Sequence, residues 1–251
     1  MAGLGNQIKT LVLLAVLTGL LLFVGAFFGK VGLFIALIFS IAMNFGTYWF
    51  SDKIVLWMYG AKEINPNEHK EIRELVKDVC NKANLPMPKL YIIDSNQPNA
   101  FATGRNEKHS AIAFTKGILT LLDKEELKGV IAHELSHVKN KDILVTTIAA
   151  TIAGVITYLA RMAQFGVLFG GGRDNENGGN IISLLILVIL TPIIAILIQL
   201  AISRSREYLA DESGARILKN PDGLARALAK LEKGVKMNPL KKGSPATGSL
   251  F

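Results

Sequence analysis

Four stretches of this chain carry no charged residue: 11–29, 31–51, 143–160 and 181–203. A helix needs roughly 20 apolar residues to cross a bilayer, so each stretch is a candidate span. A spanning segment must satisfy its own backbone hydrogen bonds, which dictates helices here and divides the polar remainder of the chain by a membrane. The third stretch is the least regular. Arg161 interrupts it before a second uncharged run, 162–172, and a charge at that depth would snorkel or face protein. The first stretch shares a weak basic start at Lys9 and a small-residue Val24-Gly25-Ala26 with signal peptides. It exceeds an ordinary signal h-region, however, and a second run follows after the single Lys30, so a retained hairpin is expected.

Half of the 251 residues are hydrophobic and the mean hydropathy is +0.36, too apolar for an ordinary soluble domain. The single cysteine, Cys80, excludes an intrachain disulfide; it shares an apolar helical stripe with Ile72, Val76 and Val79 and reads as core. The spans divide the chain into an apolar hairpin (1–51), a soluble insert (52–142), a second hairpin (143–203) and a helical C-terminal part (204–251). The soluble insert holds 14 Lys/Arg and 13 Asp/Glu, and the C-terminal part 10 and 5. Four spans place both polar parts on one side, and the positive-inside tendency makes that side cytoplasmic. The net charge of +8 suits that topology and contact with lipid headgroups. Without an aromatic-interleaved basic stripe, no nucleic-acid partner is expected.

Within the insert, Asn65-Pro66 predicts a helix start, and Ile72, Leu75, Val76 and Val79 recur at helical spacing. Residues 89–94, 101–104 and 110–114 predict strands. Asp123, with Glu126 three residues on, predicts a capped helix that carries the next motif. A glycine-rich connection, 170–179, lacks the Lys-Ser/Thr ending of a phosphate loop. The last hairpin leads into a charged helix over 203–219, and Asn220-Pro221 starts another with Leu224, Leu228 and Leu231 on one face.

The capped helix contains His133-Glu134-Leu135-Ser136-His137. Histidines at i and i+4 project from one face and can grip one Zn²⁺. Glu134, displaced around the helix, is placed to take a proton from a zinc-bound water rather than to ligate. A catalytic zinc needs a third protein ligand. No histidine or cysteine follows His137, Asp142 lies off the ligand face, and His69 and His109 sit in polar surroundings. The best candidate is Glu207, with Asp211 one turn on to accept a ring N–H from a ligand, preferably His133. Small residues at Ala210 and Gly214 would let that helix approach another closely. The alternative is a solvated charged helix with Arg204 and Arg206 paired internally.

These residues together resemble a known family. His133-Glu134-x-x-His137 with four residues to Asp142, two apolar segments, then Ser203-Arg204-x-Arg206-Glu207-Tyr208-x-Ala210-Asp211 is similar to the HtpX-type membrane zinc metalloproteases. These are gluzincin-type peptidases related to the CAAX prenyl endopeptidases. Asn99-Ala100-Phe101-Ala102-Thr103-Gly104 and Ile112-Ala113-Phe114-Thr115 resemble the family's segments before the zinc helix. The resemblance implies an α+β, mainly helical membrane protein with four transmembrane helices and a small soluble zincin-like domain carrying a short mixed sheet. It implies one Zn²⁺ per chain held by His133, His137 and Glu207, Glu134 as catalytic base, and Asp211 behind the ligands. It also implies that Ile112, Ala113 and Phe114 form the edge strand where an extended substrate adds. The activity implied is endoproteolysis of damaged or misfolded membrane proteins at the cytoplasmic face of a prokaryotic inner membrane, as stress-related quality control. The family's His-Pro pair, a candidate oxyanion stabiliser, does not occur among these residues; Arg204, Arg206 and Tyr208 are neighbouring donors. A prenyl-protein endopeptidase, or a membrane adaptor with a structural zinc, are the competing expectations.

Overall fold

The computed structural model describes residues 2–26, 29–65, 68–153 and 204–237. The element order is α1 (Ala2–Ala26), α2 (Gly29–Met58), β1 (Lys62–Glu63), α3 (Lys70–Ala83), β2 (Lys89–Ile93), β3 (Ala100–Asn106), β4 (His109–Thr115), α4 (Lys116–Leu121) and α5 (Lys124–Lys139). There follow α6 (Ile143–Ala153), α7 (Arg204–Leu218) and α8 (Asp222–Met237). The protein is mostly helical with one small mixed sheet.

Among the described residues, α2 alone is both long and apolar enough to cross a membrane. Its outward face is apolar, with Val31, Phe34, Ile35, Ile38 and Ile41 exposed. Such a face belongs in lipid rather than water. The apolar stretches of α1 and α6 are shorter, Gln7–Phe23 and Ile143–Ala153, and these two helices pack together through Leu13, Leu17, Val145, Ile148 and Ile152. Asn44 on α2 donates to Thr18 Oγ1 of α1 at 2.7 Å, a polar clasp within the hairpin. Residues 154–160 of the expected third span and all of the fourth lie outside the described residues.

The strand order is β1-β2-β4-β3, with β2 and β4 parallel and the other pairs antiparallel. Side chains alternate across the sheet. Leu90, Ala100, Ala102, Ile112 and Phe114 face the core built by α3 and α5. Ile93, Phe101, Ala111 and Ala113 face the end of α2 and Ala150 of α6. This double covering explains the uninterrupted apolar run in β4. It also corrects one expectation: Ile112, Ala113 and Phe114 lie on a central strand and are fully buried, so they are not an edge. Among the described residues the outer strand beyond β4 is β3.

Local chemistry sets the element boundaries. Asp123 and Glu126 form a complete capping box at the start of α5. Helix α3 begins at Lys70, later than Asn65-Pro66 suggested, after His69 in a left-handed conformation (φ 54°). Asn220 Oδ1 accepts from Asp222 N–H at the start of α8. Two short elements, β1 and α4, were not expected from the sequence; α4 is capped by the Thr115 hydroxyl.

Candidate metal centre and active site

Helix α5 lies between the sheet, α7 and α8. Its contact with α8 is close because Gly129 meets the backbone at Gly223 and Leu224. The buried Glu126 carboxylate fixes the joint, receiving Lys230 Nζ at 2.6 Å. Its contact with α7 is set by Ala210, fully buried, and by Gly214, whose absent Cβ would stand 3.2 Å from His133 N. The close approach brings α7 carboxylates to α5 histidines across 78 residues of sequence.

His133 Nε2 and His137 Nε2 face each other at 3.1 Å, and Glu207 Oε2 stands 3.5 Å from each. A tetrahedral ion with bonds of about 2.0–2.1 Å has ligand–ligand edges of about 3.3 Å. The three donor atoms thus already occupy three corners of such a coordination figure. His133, His137 and Glu207 are the group among the described residues that could hold a metal ion. Both rings are oriented from behind. Asp211 Oδ1 lies 2.8 Å from His133 Nδ1, and Asp142 Oδ2 lies 3.1 Å from His137 Nδ1. Each carboxylate favours the Nδ1–H tautomer and leaves Nε2 as the donor atom. The residues fit a zinc ion in number, type and spacing.

The electrostatics agree. Burial pulls the His133 imidazole down, but hydrogen bonds to Asp211 and Glu207 outweigh it and raise its pKa to about 9. Burial likewise opposes charge on His137, and Asp142 and Glu207 raise it to about 10. At 3.1 Å the two Nε2 atoms accommodate one proton between them, so the rings titrate as a pair. The same hydrogen bonds hold the Glu207 carboxyl far below the usual carboxylate range. The metal-free pocket therefore already stabilises positive charge.

Glu134 lies beside this triangle. Its carboxylate accepts from Ala102 N–H of β3 at 2.8 Å, and burial pushes its pKa up. Asp142 is the residue that sequence reasoning passed over. It is not aimed as a ligand, yet its contact with His137 is what a metal-bound imidazole needs. The available signal was that each ligand histidine requires an acceptor at Nδ1, while only one acceptor had been found. Of the neighbouring donors, Arg206 is buried, whereas Tyr208 is exposed.

Comparison with known proteins agrees with this geometry. The model of peptidase family M48 matches residues 66–247. A "Protease HtpX homolog" from Syntrophobacter fumaroxidans is 52% identical over 252 residues, covering 99% of this chain and 89% of that protein. A protein of the same description from Thermococcus kodakarensis is 50% identical, covering 99% and 87%. The crystal structure of S. mikatae Ste24p shares the fold, with a TM-score of 0.50 and 19% identity. That likeness covers 99% of this chain, which spans 63% of the Ste24p chain. The matched segment includes both helices that carry the candidate metal ligands, and the chain belongs to peptidase family M48, as a metalloprotease.

Proposed function

We propose that this protein is a zinc-dependent endopeptidase of a prokaryotic inner or plasma membrane. It cleaves misfolded or damaged membrane proteins on the cytoplasmic side. The observation that carries the proposal is the triangle of His133 Nε2, His137 Nε2 and Glu207 Oε2 with the Glu134 carboxylate beside it.

In this reading His133, His137 and Glu207 hold the zinc, and Asp211 fixes the His133 tautomer. Zinc, when bound, supplies polarisation of a peptide carbonyl and acidification of a water. Glu134 takes the proton of the attacking water on a carboxylate oxygen and delivers it to the leaving amine. Burial lifts its pKa above the ordinary carboxylate value, which makes it a better proton acceptor than an exposed carboxylate. β3 is the outer strand of the sheet, and its Ala102 N–H, now held by the Glu134 carboxylate, lies next to the base, where an extended substrate would take that contact over.

The membrane placement draws on α2. Tyr48, Trp49, Phe50 and Trp57 gather near its C-terminal end, the composition of a membrane–water interface. Arg105, at the end of β3, stacks over Trp49 at 4.2 Å, so the edge strand sits close to that level. Both polar parts of the chain carry the basic residues, which supports the cytoplasmic side.

The test is cleavage of a membrane-protein substrate by the purified protein in detergent. Glu134→Gln should retain zinc and lose about 10²–10⁴-fold in turnover. Chelation should abolish wild-type cleavage, and added zinc should restore it. Full cleavage by Glu134→Gln would refute the assignment of the base. Bound zinc with no chelator-sensitive hydrolysis would favour an adaptor with a structural metal.

A further inference from the structure

The two histidines of the site are oriented from different parts of the molecule. Asp211, behind His133, lies on α7, the helix that also carries Glu207. Asp142, behind His137, lies on neither ligand-bearing helix. It immediately precedes α6, the helix that packs on α1.

The chain takes a particular path to put it there. Helix α5 closes at Asn140, whose N–H bonds Ser136 O. Lys141 then adopts φ 61°, a conformation disfavoured for a side chain of this kind. Asp142 N–H returns to His137 O at 3.2 Å, which folds the carboxylate back beneath the imidazole. A residue just before a helix ordinarily turns its carboxylate onto that helix's own N–H groups. Asp142 does not: Oδ2 goes to His137 Nδ1, and Oδ1 is buried with no hydrogen-bond partner among the described residues. The residue is only 2% exposed. A carboxylate so placed needs a compensating charge. Arg206, itself buried and adjacent to Glu207, interacts electrostatically with both Asp142 and Glu207.

The geometry points to Asp142 as the positioning residue for His137, with Arg206 balancing its charge and α6 carrying it into place. The inference rests on the zinc site proposed above and adds a physical link to it. The same helix reaches β3, where Thr147 Oγ1 lies 3.1 Å from Thr103 Oγ1 and accepts from Gly104 N–H at 3.3 Å. One turn further on, Thr151 donates to Ser51 O of α2 at 3.4 Å. A single helix thereby sets a ligand's orientation, steadies the substrate edge and ties both to α2.

The experiment uses the full chain in detergent and reads zinc affinity by competition with a chelator, independently of proteolysis. Asp142→Asn keeps the size of the side chain and an acceptor oxygen but removes its charge. It should weaken zinc about 10–100-fold, with the metal-free protein still folded by circular dichroism even though the lost contact with His137 lowers its melting temperature. Asp142→Glu should recover part of the loss. Arg206→Gln should weaken zinc and Arg206→Lys should not, which keeps the idea testable if the Asp142 variants fold poorly. The chain has four histidines, so nitrogen-15 labelling of histidine can read the His137 tautomer directly. The zinc-loaded wild type should show Nδ1–H at His137, and Asp142→Asn should erode it. Wild-type affinity in both Asp142→Asn and Arg206→Gln, alongside weakened Asp211→Asn, would overturn the inference and leave the zinc site standing. A wild-type protein that binds no zinc would instead overturn the reading on which it rests.

Discussion

Gly129→Ala should destabilise the protein although it replaces glycine with the best helix former. Gly129 lies within α5, where alanine by itself would gain about 1 kcal/mol. The gain is reversed by α8. A Cβ on Gly129 would stand 2.5 Å from Leu224 N, 2.8 Å from Leu224 Cα and 2.9 Å from Gly223 C. Ordinary carbon contacts lie at about 3.5–4.0 Å, so α8 must withdraw by roughly 1 Å. The obstacle is backbone, which has no alternative rotamer. Overpacking of this kind costs about 1–3 kcal/mol. Withdrawal would also stretch the 2.6 Å contact between Lys230 and the buried Glu126, and hydrogen bonds to charged groups contribute about 1.5–3 kcal/mol when intact. Lys230 is 44% exposed, so only the lower part of that range applies. Set against the propensity gain, the net loss is about 2 kcal/mol.

Thermal unfolding in one detergent, with Gly46→Ala as control, reads this directly. A Cβ on Gly46 meets nothing within 4 Å among the described residues, so the same chemical change there should be neutral or slightly stabilising. Gly129→Ala should lower the melting temperature by roughly 4–8 °C. Equal or higher stability of Gly129→Ala, or an equal loss at Gly46, would show that α8 is not seated against α5 as described.

Two further predictions concern the site. Gly104 sits at φ 142° beside the irregular register of β3 and β4, and a Cβ there would overlap His109 O. Gly104→Ala should distort the outer strand and reduce kcat/KM by about tenfold or more, the counterpart of about 1–3 kcal/mol of local strain; an unchanged kcat/KM would show that β3 takes no part in substrate binding. The second concerns pH. In the metal-free site the imidazoles titrate at about 9 and about 10 against an ordinary value near 6.5, so zinc must displace protons. Apparent zinc affinity should rise about tenfold per pH unit for each proton released between pH 6.5 and 8.5, measured by chelator competition, and a flat profile would contradict the charge balance described. Because the folded pKa values are raised, the pair stabilises the metal-free protein fully below about pH 6.5 and loses that contribution as pH rises toward about 9 to about 10.

What the sequence determined by itself was whatever depends on neighbours along the chain. Uncharged runs name α2 as a span, because solvation by lipid is a property of composition. The i, i+4 spacing puts His133 and His137 on one face, because helix geometry is periodic. The Asp123–Glu126 pair announces the start of α5, because its hydrogen bonds close within one turn. Even Glu207 and Asp211 could be proposed as a pair by the same periodicity, and the family's spacing pointed to their roles.

The tertiary structure decided what depends on distance in space. That Glu207 completes a triangle with two imidazoles follows from α7 lying on α5, which the small contacts at Ala210 and Gly214 permit. That β4 is central and β3 is the outer strand follows from strand order, and an apolar run of four residues reads the same in either place until its neighbours are known. Asp142 was dismissed on helical spacing because it is five residues past His137. It reaches the ring only because Lys141 turns the chain out of the helix, and a left-handed lysine is not announced by sequence. Periodicity predicts contacts within an element, whereas turns, strand order and helix-on-helix packing are settled by what the whole chain can bury at once.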